Sequence, residues 1–205
     1  MKKNSVYKMV LMAMLISLMF VLVFVQQLLG LLPLNGFTIT LLSIPVGIAA
    51  SFLGPVEGMA MGGLFGLISL LQCGIVPLFG LDPMGVILLE EKPFLTIMLC
   101  FVPRILMGAI SGLISRGLKK IGTQDNIVRE IIEIIGAASC PLLNTVLFLS
   151  FFQLFFGNNS SVFSSIGQII KLAITVNGTI EFLVCSTLIV FISLAIRRFI
   201  CSKRR

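Results

Sequence analysis

Long apolar runs are the feature that most restricts the fold of this chain. A helix needs about 20 mostly apolar residues to cross the hydrocarbon core of a bilayer, because each residue adds only about 1.5 Å. Six such runs follow one another, near residues 9–32, 38–54, 58–79, 95–115, 131–156 and 166–196. The sequence therefore predicts an all-α integral membrane protein with six transmembrane helices, here numbered as segments 1 to 6.

Composition favours the same class of protein. Of the 205 residues, 58% are hydrophobic and 11% are charged, and the mean hydropathy is +1.13. Such a balance leaves too little polar surface to cover a soluble globule. The connections between the segments are too short to fold on their own, so we expect a single transmembrane domain over residues 1–205.

The distribution of lysine and arginine predicts the orientation in the membrane. The chain has a net charge of +7, and its cations cluster before segment 1, between segments 4 and 5, and after segment 6. The opposite connections carry Lys92 as their one cation. Because cytoplasmic loops of membrane proteins are enriched in lysine and arginine, both termini are predicted to be cytoplasmic.

Several residue types needed for chemistry are missing or scattered. The chain has no histidine, the commonest general base and metal ligand, and no glycine-rich loop of the kind that holds ATP phosphates. The cysteines lie in apolar runs without a CxxC pair, at Cys73, Cys100, Cys140, Cys185 and Cys201. We therefore expect no enzyme activity, no metal or other cofactor, and no disulfide.

Two polar side chains stand inside the apolar segment 6. Asn177 and Glu181 are four residues apart, so a helix places them on the same face. An acid inside a membrane helix is costly unless it is paired or hydrated, which makes Glu181 a candidate for function. The alternative is structural, with an arginine neutralising the acid so that two helices can pack.

Other polar residues fall near the same depth. Counted at about 1.5 Å per residue from the outer helix ends, Arg104, Asn144 and Asn177 share one layer. The residues predicted to form a polar, substrate-binding chamber and its outer mouth are Arg104, Asn144, Asn177, Glu181, Gln72, Thr40 and Asn35. Lys171, in contrast, is predicted to reach the surface from the outer end of segment 6.

Small residues indicate where helices approach closely. Glycines recur at every fourth position from Gly58 to Gly66 in segment 3, and Gly108 and Gly112 form a matching ridge in segment 4. We therefore expect segments 3 and 4 to pack against each other.

Two features leave alternatives open. Pro45 interrupts segment 2, which is typical either of close packing or of a binding cavity. The connection near residues 80–94 mixes turn-forming and apolar residues. It is compatible with a lid over an entrance and equally with an ordinary solvated connection.

Six motifs in order and spacing carry a resemblance to a known family. They are FTITLLSIPV at 37–46, LGPVEG at 53–58, GGLFGLIS at 62–69, VPRILMG at 102–108, LNTV at 143–146 and VNGTIE at 176–181. Together with Ala13-x-x-x-Ser17 in segment 1, they resemble the substrate-binding S component of energy-coupling-factor (ECF) vitamin transporters, in its pantothenate-type branch. The chain departs from that pattern at Ser17, where the family usually has alanine, and in the Glu90-Glu91 connection.

The resemblance implies a function in a bacterial-type cell membrane. An S component captures a vitamin outside and docks, here through Ala13 and Ser17, on a transmembrane coupling subunit that two ATPases drive. Arg104 would bind the pantothenate carboxylate, and Glu181 would orient that arginine or accept a hydrogen bond from the ligand. The alternatives are an S component for another small vitamin or precursor, of the folate or thiazole type, and a stand-alone secondary transporter.

Overall fold

The computed structural model describes residues 2–30, 40–75, 83–121, 126–156 and 182–193, and these residues contain helices and no strand. The helices are α1 (Lys2–Gly30), α2 (Ser43–Phe52), α3 (Pro55–Leu70), α4 (Pro83–Glu91), α5 (Pro93–Ile121), α6 (Asn126–Phe156) and α7 (Phe182–Ser193). A π-helical turn, Leu71–Ile75, continues α3.

The described helices correspond in order to the six predicted segments, with α4 added between segments 3 and 4. Four of them are long and apolar enough to cross a membrane, over Val6–Leu28, Pro55–Cys73, Pro93–Lys120 and Ile131–Phe156. The described parts of segments 2 and 6 are the shorter apolar helices α2 and α7. The all-helical membrane architecture is therefore confirmed, while six spans and cytoplasmic termini remain predictions.

Helix α2 forms the centre of the bundle. Every residue from 41 to 50 is buried, and α2 packs against α1, α3, α5 and α6. The predicted interruption at Pro45 is wrong, because this residue lies in the first turn of α2. The first four N–H groups of a helix have no intrahelical partner, so a proline there removes no hydrogen bond. Pro45 therefore belongs to the packed core.

The glycine ridges of segments 3 and 4 meet as predicted, between α3 and α5. A Cβ atom on Gly58 would lie 2.6 Å from the carbonyl oxygen of Gly108, and one on Gly66 would lie 2.8 Å from that of Cys100. Gly62, between them, packs directly on the backbone of Arg104. Each step of four residues along α3 thus matches a step of four back along α5. The backbones touch because glycine has no side chain to separate them.

The connection between segments 3 and 4 contains a helix rather than only solvated chain. Leu88 of α4 is 2% exposed and lies in a hydrophobic cluster with Leu99 of α5 and with Phe152 and Phe156 of α6. Of the two alternatives for this connection, an entirely solvated chain therefore does not hold for α4. Packing of one apolar side chain into an aromatic cluster holds this short helix on the end of the bundle.

Helix α1 contributes one narrow edge to the core. Its buried residues recur at every fourth position from Leu11 to Val23, and they join a cluster that includes Cys185 and Ile189 of α7. Ala13 and Ser17 lie on another face of α1 and are exposed. The pair is thus turned away from the described core of the chain.

Candidate functional site

A buried guanidinium marks the most distinctive polar place in the described structure. Arg104 of α5 is 8% exposed, and its Nη1 donates a hydrogen bond of 2.6 Å to the carbonyl oxygen of Leu99. The preceding residue, Pro103, has no N–H and so cannot donate to Leu99, four residues earlier in the helix. The arginine side chain supplies the donor that the proline lacks.

The guanidinium also lies against aromatic rings and a hydroxyl group of the described residues. Its central carbon lies 4.8 Å from the ring centroid of Phe148 on α6 and 5.5 Å from that of Phe65 on α3. Both distances are within the range of cation–π attraction. The Nη2 atom is 3.4 Å from Ser69 Oγ, a long and weak hydrogen bond. Three helices therefore hold the cation away from bulk solvent.

A small cavity lies beside Arg104. Its volume is about 40 Å³, and its lining residues are Ser69, Cys73, Gly85, Leu88, Thr96, Leu99, Cys100, Arg104 and Phe148. They come from α3 and its π-helical turn, α4, α5 and α6. A cavity of this size holds a few water molecules, whereas pockets for small organic ligands have roughly 300–1,000 Å³. The described residues therefore leave too little space here for a small organic ligand.

Helix α4 closes the cavity and is anchored by Thr96. This residue is 1% exposed. Its Oγ1 lies 2.7 Å from the carbonyl oxygen of Leu88 and 3.0 Å from that of Lys92. This hydroxyl group therefore adds a side-chain contact between the end of α4 and α5, beside the packing of Leu88 and the backbone hydrogen bonds through Lys92.

Asn144 lies on α6, one helical turn before Phe148, so both side chains are on the same face of that helix. It is 7% exposed, and its Oδ1 accepts no hydrogen bond from the described residues. A buried amide oxygen without a donor costs about 1–3 kcal/mol relative to a satisfied one. Asn144 does not itself line the small cavity, but such an atom is suited to receive a donor from a bound molecule.

Other predicted site residues lie elsewhere or outside the described residues. Gln72 is half-buried in the π-helical turn and does not line the cavity. Thr40 precedes α2, where its carbonyl oxygen accepts from Ser43 Oγ at 3.2 Å and from Cys185 Sγ at 3.7 Å, so it also lies apart from the cavity. The predicted residues that fall outside the described ranges are Asn35, Asn177 and Glu181.

Sequence reasoning missed two cysteines of the cavity wall. The sulfur atoms of Cys73 and Cys100 are 3.9 Å apart, a contact rather than a bond. The four described cysteines are free and buried, as predicted, but the sequence analysis did not place these two beside Arg104. The spacing could have revealed them. Cys73 lies four residues after Ser69, and Cys100 lies four residues before Arg104, so each cysteine shares a helix face with one of these polar residues.

Comparison with known proteins agrees with the helical architecture. The chain matches the family model described as "ECF transporter, substrate-specific component" over residues 7–193, from the first turns of α1 to the end of α7. No curated protein matches the chain. The family match covers well over half of the sequence. The chain therefore belongs to the family of ECF transporter substrate-specific components.

Proposed function

We propose that this chain captures pantothenate from outside the cell for an ATP-driven importer. As a member of its family it is the substrate-specific part of a membrane transporter, and it works with transmembrane and ATPase subunits. Pantothenate carries a carboxylate, two hydroxyl groups and an amide. The observation that favours an anionic ligand most is the buried guanidinium of Arg104 at the closed cavity.

A ligand carboxylate could form a stronger hydrogen bond with Arg104 than Ser69 does. The contact between Arg104 Nη2 and Ser69 Oγ is 3.4 Å long, whereas charge-assisted hydrogen bonds are typically about 2.7–2.9 Å and roughly twice as strong as neutral ones. A ligand oxygen that replaces the serine exchanges a weak contact for a strong one. The bond from Nη1 to Leu99 meanwhile holds the guanidinium in place.

The amide of Asn144 supplies a second interaction. Its buried Oδ1 is an acceptor for a ligand hydroxyl or amide N–H. Asn177 and Glu181 complete the chamber in this proposal, with Glu181 accepting from a ligand hydroxyl or orienting Arg104.

Ligand binding requires the cavity to open. Pantothenate is far larger than a space of about 40 Å³, so helix α4 is proposed to act as a lid that moves aside. The Thr96 hydroxyl that joins the end of α4 to α5 is then the contact that breaks on opening. The Glu90-Glu91 pair ends this lid helix.

Docking and orientation form the remaining part of the proposal. Ala13 and Ser17 are exposed small residues on α1, and small residues allow another helix to approach closely. They are proposed to face the transmembrane coupling subunit in a bacterial-type cell membrane, with both termini of the chain in the cytoplasm.

The deciding experiment is a binding panel on the purified chain in mild detergent. Pantothenate, folate and a thiazole precursor are each titrated without ATP, and heat of binding and thermal midpoint are measured. We expect one pantothenate to bind per chain and to raise the midpoint. Binding of another vitamin instead would replace the assignment of the ligand, and ATP hydrolysis by the isolated chain would contradict a capture subunit.

A further inference from the structure

A second and larger cavity lies at the opposite end of the bundle. Its volume is about 250 Å³, and it is bounded by the last residues of α2, by Gly54 before α3, and by the final turns of α5. The cations on its wall are Arg116, Lys119 and Lys120. This basic cavity is separate from the site beside Arg104, with which it shares no lining residue.

The wall of the basic cavity is a built structure. Lys119 Nζ lies 2.9 Å from Glu133 Oε1 and donates a 2.8 Å hydrogen bond to the carbonyl oxygen of Ser51. The hydroxyl groups of Ser115 and Ser51 are 3.0 Å apart. These contacts join α2, α5 and α6 and hold one side of the cavity in place.

Positive charge is in excess around the cavity. Lys8 of α1 pairs with Glu57 of α3 at 2.6 Å, and Lys119 pairs with Glu133. Arg116 is also attracted by the Glu57 carboxylate, and both side chains lie near Gly54, which separates α2 from α3. Arg116 and Lys120 are both exposed. Among the described residues around the cavity, the four cations Lys8, Arg116, Lys119 and Lys120 thus outnumber the two acids, Glu57 and Glu133.

The basic cavity lies at the level of lipid headgroups. Helix α5 has 29 residues, which corresponds to roughly 44 Å, whereas the hydrocarbon core of a bilayer is about 30 Å thick. The helix is therefore longer than the hydrocarbon core, and its last turn, which carries Lys119 and Lys120, is the end expected to reach the headgroups. Leu113, which follows Gly112 of the cavity wall, and Val56, two residues after Gly54, are 56% and 71% exposed. Apolar side chains with this exposure are suited to lipid chains directly next to the cations.

We propose that the basic cavity binds the phosphate of an anionic phospholipid, with Arg116 and Lys120 as the recognising cations. Arginine binds phosphate oxygens through two N–H groups, and each basic side chain near a membrane surface adds attraction for anionic lipids. A concave site bordered by lipid-facing Leu113 favours a headgroup over an acidic side chain of a partner protein. This lipid site is independent of the transported vitamin, because the two cavities share no lining residue.

The test measures thermal stabilisation and affinity of the purified full chain with four short-chain or soluble probes. These are phosphatidylglycerol, phosphatidylcholine, glycerol 3-phosphate and inorganic phosphate. We expect phosphatidylglycerol to bind more tightly than the other three. Equal effects of the two lipids would overturn the proposal, and equal effects of phosphatidylglycerol and the soluble phosphates would replace it with a site for a free anion.

Charge-neutralising variants locate the site. Arg116→Gln and Lys120→Gln are each expected to weaken phosphatidylglycerol binding about fivefold, and the double variant about 25-fold. Lys92→Gln removes one charge at the other end of α5 and is expected to leave binding unchanged. An equal loss in Lys92→Gln would indicate only a general charge effect and would refute the assignment.

The comparison of lipids on the unaltered chain decides the proposal even if one variant fails to fold. A further outcome also refutes it: Arg116→Gln and Lys120→Gln prevent assembly with the coupling subunit while the unaltered chain shows no preference for phosphatidylglycerol. That result would assign the basic cavity to an acidic protein partner.

Discussion

Replacing Arg104 by alanine tests the observed contact with the Leu99 carbonyl oxygen and the proposed contact with the ligand. For the ligand, removing one partner of a buried charged contact costs about 2–5 kcal/mol, and each 1.4 kcal/mol is about tenfold in affinity. We therefore expect Arg104→Ala to weaken pantothenate binding by about 30-fold or more. Asn144→Ala and Asn177→Ala each remove one neutral hydrogen bond of about 1 kcal/mol, or roughly fivefold.

The same substitution also affects folding, because it leaves the carbonyl of Leu99 without its donor. An unsatisfied buried carbonyl costs about 1–3 kcal/mol of stability. Replacing Pro103 by alanine restores an N–H that can donate to Leu99. In the Pro103→Ala background, we therefore expect Arg104→Ala to destabilise the chain by about 1–3 kcal/mol less than it does alone.

The unaltered chain, Arg104→Ala, Pro103→Ala and the double variant are compared by titration calorimetry and by thermal unfolding in the same detergent. Stability is expected to be rescued by Pro103→Ala, and pantothenate affinity is not. Lys92→Ala and Lys171→Ala are the controls and are expected to change affinity little; Lys92 precedes α5, and Lys171, outside the described residues, is predicted from the sequence to reach the surface. If Pro103→Ala restored affinity too, Arg104 would act only through the shape of α5. If Lys171→Ala abolished binding while Arg104→Ala did not, the carboxylate would bind at the outer mouth.

Three further predictions concern the rest of the chain. Ala13→Leu or Ser17→Leu is expected to abolish ATP-driven uptake by the complete transporter while the isolated chain still binds ligand, because bulky side chains keep a docking helix away; equal loss of both activities would place this face inside the bundle. Gly62→Ala is expected to lower stability by about 1–3 kcal/mol or more, since the added carbon meets the backbone of α5. Gly63→Ala is its matched control, because a carbon there meets only one side-chain atom at 3.9 Å; similar thermal midpoints for the two variants would contradict the close seam. Thr96→Val keeps the side-chain shape but removes the hydroxyl that joins the end of α4 to α5, so ligand release in a stopped-flow assay should accelerate about fivefold, and an unchanged rate would show that α4 is not the lid.

The close packing of α3 on α5 was predictable because its cause is local. Glycines four residues apart form a flat stripe on a helix, and the stripe from Gly58 to Gly66 needs another backbone opposite it. Gly108 lies on the next long apolar segment, so that segment was predicted to supply the opposite backbone. Sequence spacing therefore predicted the partner helix, whereas the register, with Gly62 on Arg104 and Gly66 on Cys100, emerged only from the structure.

Helix α4 was not predictable in the same way. Its nine residues are far fewer than a membrane-crossing helix needs, and turn-forming residues surround them. Its helical state depends on tertiary contacts, namely Leu88 in the aromatic cluster of α6 and the Thr96 hydroxyl. Sequence periodicity carries no information about such contacts when the partners lie far apart in the chain. Pro45 was misinterpreted because segment 2 was predicted to begin near residue 38, whereas α2 begins at Ser43. With the earlier start, a proline of the first turn looks like an interruption within the helix.

The two prolines inside long helices show why a layer of polar residues does not define a site. Pro141 of α6 leaves the carbonyl of Ala137 without its usual donor, and the backbone of α2 packs on that oxygen at Gly47. Pro103 of α5 likewise leaves the carbonyl oxygen of Leu99 without its usual donor. There the Arg104 side chain donates instead, and it also borders the small cavity. Depth along the helices assigned Arg104 and Asn144 to one layer without revealing this difference. The Arg104 guanidinium lies between the Leu99 carbonyl oxygen and the cavity. Substitutions at Pro103 and Arg104 can therefore distinguish a loss of α5 stability from a loss of the proposed ligand contact.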